Sequence, residues 1–194
     1  DLARFAYAAP GDKLDQGRGE LLLGTGEAQV PSGQGLRVRG RLDTLDLEPW
    51  QQQAQRFAGQ DPGGSARQNL QGVDLSIGKL KAFGMDLNQA VVRLARAANA
   101  WDLRLDSREV MGNARIPDAK AQPMVVKLQT LRLPPADPAE SQSEDGPDPL
   151  ATFNPRKVPA LDLTIDKLYR GDDLFGNWAL KLRPTTRGVS FDDI

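Results

Sequence analysis

The sequence predicts a mainly β chain: many short strands, one short helix and one acidic loop without structure of its own. Two-residue alternation, a unit that occurs twice, and a single stretch of helical period carry that prediction. The alternation is cleanest in Val73-Asp74-Leu75-Ser76-Ile77, where apolar and polar residues trade places at each step. Trp101-Asp102-Leu103-Arg104-Leu105 does the same. Successive side chains of a strand point to opposite faces, so each segment reads as a strand with one apolar face. Between them, Phe83-Gly84-Met85 supplies a turn, since glycine tolerates the φ > 0 that tight turns need.

The unit then recurs. Leu161-Asp162-Leu163-Thr164-Ile165-Asp166-Lys167-Leu168 aligns with Val73-Asp74-Leu75-Ser76-Ile77-Gly78-Lys79-Leu80, 88 positions earlier. Trp178-Ala179-Leu180-Lys181-Leu182 follows as the counterpart of Trp101–Leu105, after a shorter middle. A repeated unit that cannot bury its own apolar face points to stacked, solenoid-like assembly.

The remaining elements follow in chain order. Phe5 and Tyr7 alternate, Leu21-Leu22-Leu23 is a brief apolar run, and Leu36 to Leu42 alternates cleanly, with Leu45-Asp46-Leu47 closing the section. Glycine-rich stretches at 17–19, 24–26 and 33–35 punctuate these strands. From Glu48 to Ala58 the period lengthens: Pro49 suits a first helical turn, and Trp50, Ala54 and Phe57 recur at helical spacing. Asp61-Pro62-Gly63-Gly64-Ser65 ends that helix. Met111 to Pro117 reads as a strand that stops at its proline. Met124 to Leu133 reads as a longer one, whose apolar set moves from Val126 and Leu128 to Leu131 and Leu133, the signature of a bulge or strong twist. Residues 135–152 are rich in proline, acids and serine, and cannot bury enough apolar surface to order themselves, so a flexible loop is expected there.

Composition removes several function classes. A net charge of −1 lacks the basic excess of a general nucleic-acid binder. Cysteine is absent, which excludes disulfides and thiolate metal sites. Histidine is absent too, removing the commonest general base and metal ligand, so no enzyme, catalytic residue, metal or cofactor is expected. Asp46, Asp74, Asp86, Asp102 and Asp162 each precede a leucine, which fits outward residues of strands better than a Ca²⁺ loop, whose carboxylates cluster within one turn. Arg37, Arg39 and Arg41 form a one-faced basic stripe that suits either phosphate contacts or a solvated strand face, the second being the simpler reading. No apolar run approaches the roughly 20 residues of a membrane helix, and the opening Asp1-Leu2-Ala3-Arg4 carries no leader, so the chain reads as a piece of a longer protein with room for an anchor elsewhere. The apolar faces themselves fit two architectures: an ordinary sandwich core, or a curved sheet that stays open as a trough. A five-residue strand spans about 17 Å, and half a bilayer's hydrocarbon core is about 15 Å, so such a trough takes an acyl chain.

Three segments carry a resemblance to a known family. Val73–Leu80, Trp101–Leu105 and Gly112–Pro117 give Leu-Asp-Leu-x-Ile-x-x-Leu, then Trp-x-Leu-x-Leu, then Gly-x-x-x-Ile-Pro, a pattern that resembles the AsmA-like proteins of the Gram-negative envelope. Residues 157–165 and Leu45–Trp50 resemble the same family, over a span of about 20 to 191. The resemblance implies a fold, a place and a cargo: a curved antiparallel sheet forming an open, elongated groove, as residues 1–194 of a repetitive periplasmic domain anchored in the inner membrane outside this segment. It implies phospholipid as the partner, carried along the groove toward the outer membrane, with outer-membrane or periplasmic proteins as further partners. On that reading the groove is lined by Val73, Leu75, Ile77, Trp101, Leu103, Leu105, Leu161, Leu163, Ile165, Trp178, Leu180 and Leu182. The other reading is a structural or protein-binding β-module of the envelope with a closed core.

Overall fold

The computed structural model describes residues 3–9, 17–47, 49, 69–82, 84–119, 121–135, 160–185 and 188–192. The helix expected at 49–58 and the loop expected at 135–152 lie outside them, apart from Pro49 and Pro135.

The described residues are almost entirely strand. β1 (Ala3–Ala8), β2 (Arg18–Leu23), β3 (Gly35–Asp46), β4 (Leu70–Ala82), β5 (Met85–Arg96), β6 (Ala100–Asp106), β7 (Val110–Pro117), β8 (Met124–Leu133), β9 (Leu161–Arg170), β10 (Asp173–Thr185) and β11 (Gly188–Asp192) hydrogen-bond in sequence order into one open sheet. The chain divides into two compact units, Asp1–Ala98 with Asp102–Arg108, and Asn99–Trp101 with Glu109–Ile194.

The sheet is mixed where antiparallel pairing is expected throughout. β2–β3 and β3–β4 pair parallel in the first unit, and β8–β9 in the second. The cause lies in the connections. Antiparallel neighbours need only a short turn, whereas parallel neighbours need a crossover that returns the chain to its starting end. The glycine-rich 24–34, the 47–69 stretch and the acidic 134–160 stretch all join parallel pairs, which accounts for three long polar segments in a chain otherwise made of strands.

In the first unit β4 and β5 form a hairpin around Gly84, which takes φ 71° as the turn requires. β5 itself is a strand that alternation does not reveal. Its apolar set changes parity between Leu87 and Ala90, at Gln89, which sits in the left-handed region with φ 53°. The two strands that precede it in the sheet change parity at the same level, from Leu42 to Leu45 in β3 and from Ile77 to Leu80 in β4. Leu87, Ala90, Ile77, Leu80 and Ala82 are the buried heart of this unit.

The second unit repeats the device. β8 and β7 shift register between Met111 and Gly112, so that Val110 faces Leu131 and Gly112 faces Leu128. This is the bulge that the Val126/Leu128 to Leu131/Leu133 change demands. β9 then pairs Leu128 with Ile165 and Leu131 with Leu168, carrying the change into the next strand. β9 and β10 form the closing hairpin.

The repeated unit is therefore three strands, β3–β4–β5 and β8–β9–β10: a parallel pair followed by a hairpin. By register the counterpart of Trp178, opposite Ile165, is Ala90, opposite Ile77. Trp101 lies in β6, so its pairing with Trp178 as equivalents does not hold. The missed strand β5 displaced that alignment by one element.

Candidate functional site: an apolar face in each unit

Directly opposed residues in neighbouring strands point to the same side of a sheet, so the registers define its faces. In the first unit one row runs Phe5, Leu21, Val38, Val73, Leu94 across β1 to β5. The next runs Ala3, Leu23, Gly40, Leu75, Val92, and a third Leu42, Ile77, Ala90. Across these rows the face carries no charged side chain. Five strands spaced at about 4.8 Å put the ends of a row roughly 19 Å apart. Beside Phe5 the face deepens into a recess of about 200 Å³ lined by Phe5, Tyr7, Gly17, Gly19, Gly35, Leu36 and Asn69. The Phe5 and Tyr7 rings stack there, 5.9 Å between centroids.

The opposite face of this unit is charged. Its central row is Arg4, Leu22, Arg39, Asp74, Arg93. Arg93 pairs with Asp74 at 3.5 Å, and Arg39 donates from Nε to Glu20 Oε1 at 2.6 Å. The second oxygen of Glu20 accepts the Gln29 backbone N–H at 2.8 Å, and Arg39 Nη2 reaches the Glu27 carbonyl. Arg4 similarly holds the Gly26 carbonyl. The β2–β3 connection is thus tied to the charged face, where it covers Leu22, and not to the apolar one. Glu20 is buried, yet the Arg39 guanidinium hydrogen-bonded to it holds its carboxyl below the ordinary glutamate value. All three members of the basic stripe Arg37, Arg39 and Arg41 are exposed, and the middle one is the ion-pair partner of the buried Glu20.

In the second unit the rows are Ala114, Val126, Leu163, Leu180; then Gly112, Leu128, Ile165, Trp178; and Met124, Leu161, Leu182. Again no charge interrupts them. The reverse side carries Asp162 beside Lys181, and Asp162 receives Arg183. On that side Arg132 also stacks over the Tyr169 ring, 4.0 Å from its centroid.

The structure thus brings Val73, Leu75 and Ile77 together on one face, and Leu161, Leu163, Ile165, Trp178, Leu180 and Leu182 together on another. Leu103 and Leu105 alternate with Arg104 and Asp106, which line a recess with Val91 and Arg93 on the charged side of the first unit. That leaves the two leucines on the side of Val92 and Leu94. Trp101 belongs to the second unit and is half-buried. Among these residues Leu75, Ile77, Ile165 and Leu182 are buried, Trp178 is 46% exposed and the others are half-buried. Sequence reasoning missed the flanking contributors β3 and β8. Their signal is a second repeat: Leu42-Asp43-Thr44-Leu45-Asp46-Leu47 and Leu128-Gln129-Thr130-Leu131-Arg132-Leu133 share Leu-x-Thr-Leu-x-Leu and occupy equivalent registers.

Among the described residues, no group of three or more His, Cys, Asp or Glu side chains could hold a metal ion, and no helix is long and apolar enough to cross a membrane.

No curated protein and no solved structure matches the chain. One family model does, the YhdP protein family, and it covers residues 4–194, essentially the whole sequence. The diffuse AsmA-like pattern of strands thereby acquires a specific address: the chain belongs to the YhdP family.

Proposed function

We propose that this chain is a segment of a lipid conduit: a stretch of periplasmic β-sheet whose apolar faces carry phospholipid acyl chains between the inner and outer membranes. Family membership supports an envelope protein concerned with lipid transport. The observation that carries the finer reading is the division of faces. Row after row of aliphatic side chains lies on one side of each unit without a charge among them, while ion pairs and the β2–β3 connection occupy the other side. The β2–β3 connection, the crossover that the described residues include, is tied to the charged face and leaves these rows clear of it, as a face that takes a cargo needs.

The mechanism requires no covalent chemistry. Acyl chains lose contact with water against Leu, Val and Ile, at about 25 cal/mol per Å² of apolar surface removed, and headgroups stay in water. Because each row offers nearly the same surface as the next, movement between rows meets only shallow barriers. The anchor in the inner membrane and any protein acceptor at the outer membrane belong, on this reading, to the longer protein and its neighbours.

Native mass spectrometry with lipid extraction tests it. The purified chain retains phospholipid, and Leu103→Asp loses it while keeping the same circular dichroism and melting temperature. A clean lipid-free mass for the unaltered chain points instead to a structural or protein-binding module with a closed core.

A further inference from the structure

Of the positions where the two copies of the three-strand unit differ on the apolar face, one shows the largest change of side-chain size. Opposite Ile77, β5 places Ala90, 1% exposed; opposite Ile165, β10 places Trp178, 46% exposed. Ile165, its partner across the strand pair, is buried. The next residue of β10 on the same side is Gly176, opposite Leu168 and between two register shifts. It takes φ 90°, and open space surrounds the position of its missing Cβ. β10 thus presents a half-exposed indole next to a position that has no side chain.

We propose that Trp178 is the ligand-contact residue of the second unit's apolar face, where an acyl chain lies over Leu163 and Leu180 and against the exposed indole, passing the open position at Gly176. The inference rests on the conduit reading and names its contact point. The chemistry of the face selects the occupant. Charge complementarity favours a hydrocarbon, because Met124, Val126, Leu128, Leu161, Leu163 and Leu180 offer neither a charge nor a strong hydrogen-bonding group. An extended peptide laid across them would leave its backbone N–H and C=O groups without partners, a cost that an acyl chain does not incur. The indole adds a ring to close over the chain and an N–H that reaches water, the combination that suits a boundary between apolar and wet regions.

Trp50→Phe and Trp101→Phe together leave Trp178 as the single fluorophore of the full chain. The probe is 12-bromododecanoic acid below its micelle concentration, whose bromine quenches only a ring in near contact. Quenching by more than half is expected. Trp178→Ala lowers affinity for dodecanoic acid about tenfold, and Trp178→Phe keeps most of it. If mass spectrometry finds dodecanoic acid on the chain while Trp178 stays unquenched, the assignment to Trp178 is overturned and the conduit reading stands. If neither the fatty acid nor phospholipid binds, the conduit reading falls and takes the assignment with it. Should Trp178→Ala fail to fold, the quenching measurement still decides, because it keeps Trp178 in place.

Discussion

Removing the Glu20 carboxylate should release the β2–β3 connection from the back of the sheet. Glu20 spends one oxygen on Arg39 Nε at 2.6 Å and the other on the Gln29 N–H at 2.8 Å. Charge-assisted hydrogen bonds contribute about 1.5–3 kcal/mol each, but Arg39 is nearly half exposed and its share is screened toward the low end. Glu20→Gln keeps an acceptor for one donor and turns an NH₂ against the other, so a loss of about 1–2 kcal/mol is expected. The pH dependence follows from the lowered pKa. The folded value lies below the unfolded one, so the contribution is fully present above the ordinary glutamate value of about 4.3 and is lost as pH falls through the folded value. Glu20→Gln should therefore flatten the acid limb of the stability curve. Hydrogen exchange of the 24–34 amides provides the local readout, and a double-mutant cycle with Arg39→Met isolates the pair at about 1 kcal/mol. A coupling below about 0.3 kcal/mol, with unchanged exchange at Gln29, would refute the latch.

Three further substitutions probe how each unit is held together. Leu87 is 1% exposed, and Leu87→Ala should cost about 3–5 kcal/mol by chemical denaturation, whereas Leu174→Ala, at a residue 58% exposed, should stay within about 0.5 kcal/mol. Equal effects would contradict the placement of the core. At the β7–β8 bulge, a Cβ on Gly112 would meet the Lys127 carbonyl oxygen at 2.5 Å and Leu128 Cα at 2.9 Å. Backbone must move to admit it, so Gly112→Ala should destabilise by about 1–3 kcal/mol; a neutral result would mean that the bulge is not as tight as this.

What could be read from the sequence depended on whether a strand kept one parity. Val73–Ile77, Trp101–Leu105 and Leu161–Ile165 alternate without interruption, and each lies in a strand where expected. The Val126/Leu128 to Leu131/Leu133 change was legible as a bulge because both halves are apolar enough to locate it. β5 was not legible. Its parity changes at Gln89, and two-residue periodicity across Leu87 to Ala90 then looks like none. That omission propagated, because the second hairpin's Trp178 was matched with β6 instead of β5. Strand direction was hidden for a different reason. Alternation is the same in parallel and antiparallel strands, and only the lengths of 24–34, 47–69 and 134–160 hint at crossovers. Alternation located the row members in β4, β9 and β10, whereas those in β1, β2, β5 and β7 follow only from the cross-strand registers. For β3 and β8 the shared Leu-x-Thr-Leu-x-Leu segment marks the two strands as equivalents, but the face they join is set by cross-strand register.

Photo-crosslinking in cells, with a photo-reactive residue placed in turn at positions 161 to 165 of the longer protein, tests the central claim most directly. Leu161, Leu163 and Ile165 lie on the apolar face of β9, and Asp162 and Thr164 on the other. The account predicts lipid adducts at positions 161, 163 and 165 and none at 162 and 164, a two-residue period matching the strand. Adducts of equal yield at all five positions, or confined to 162 and 164, would contradict it.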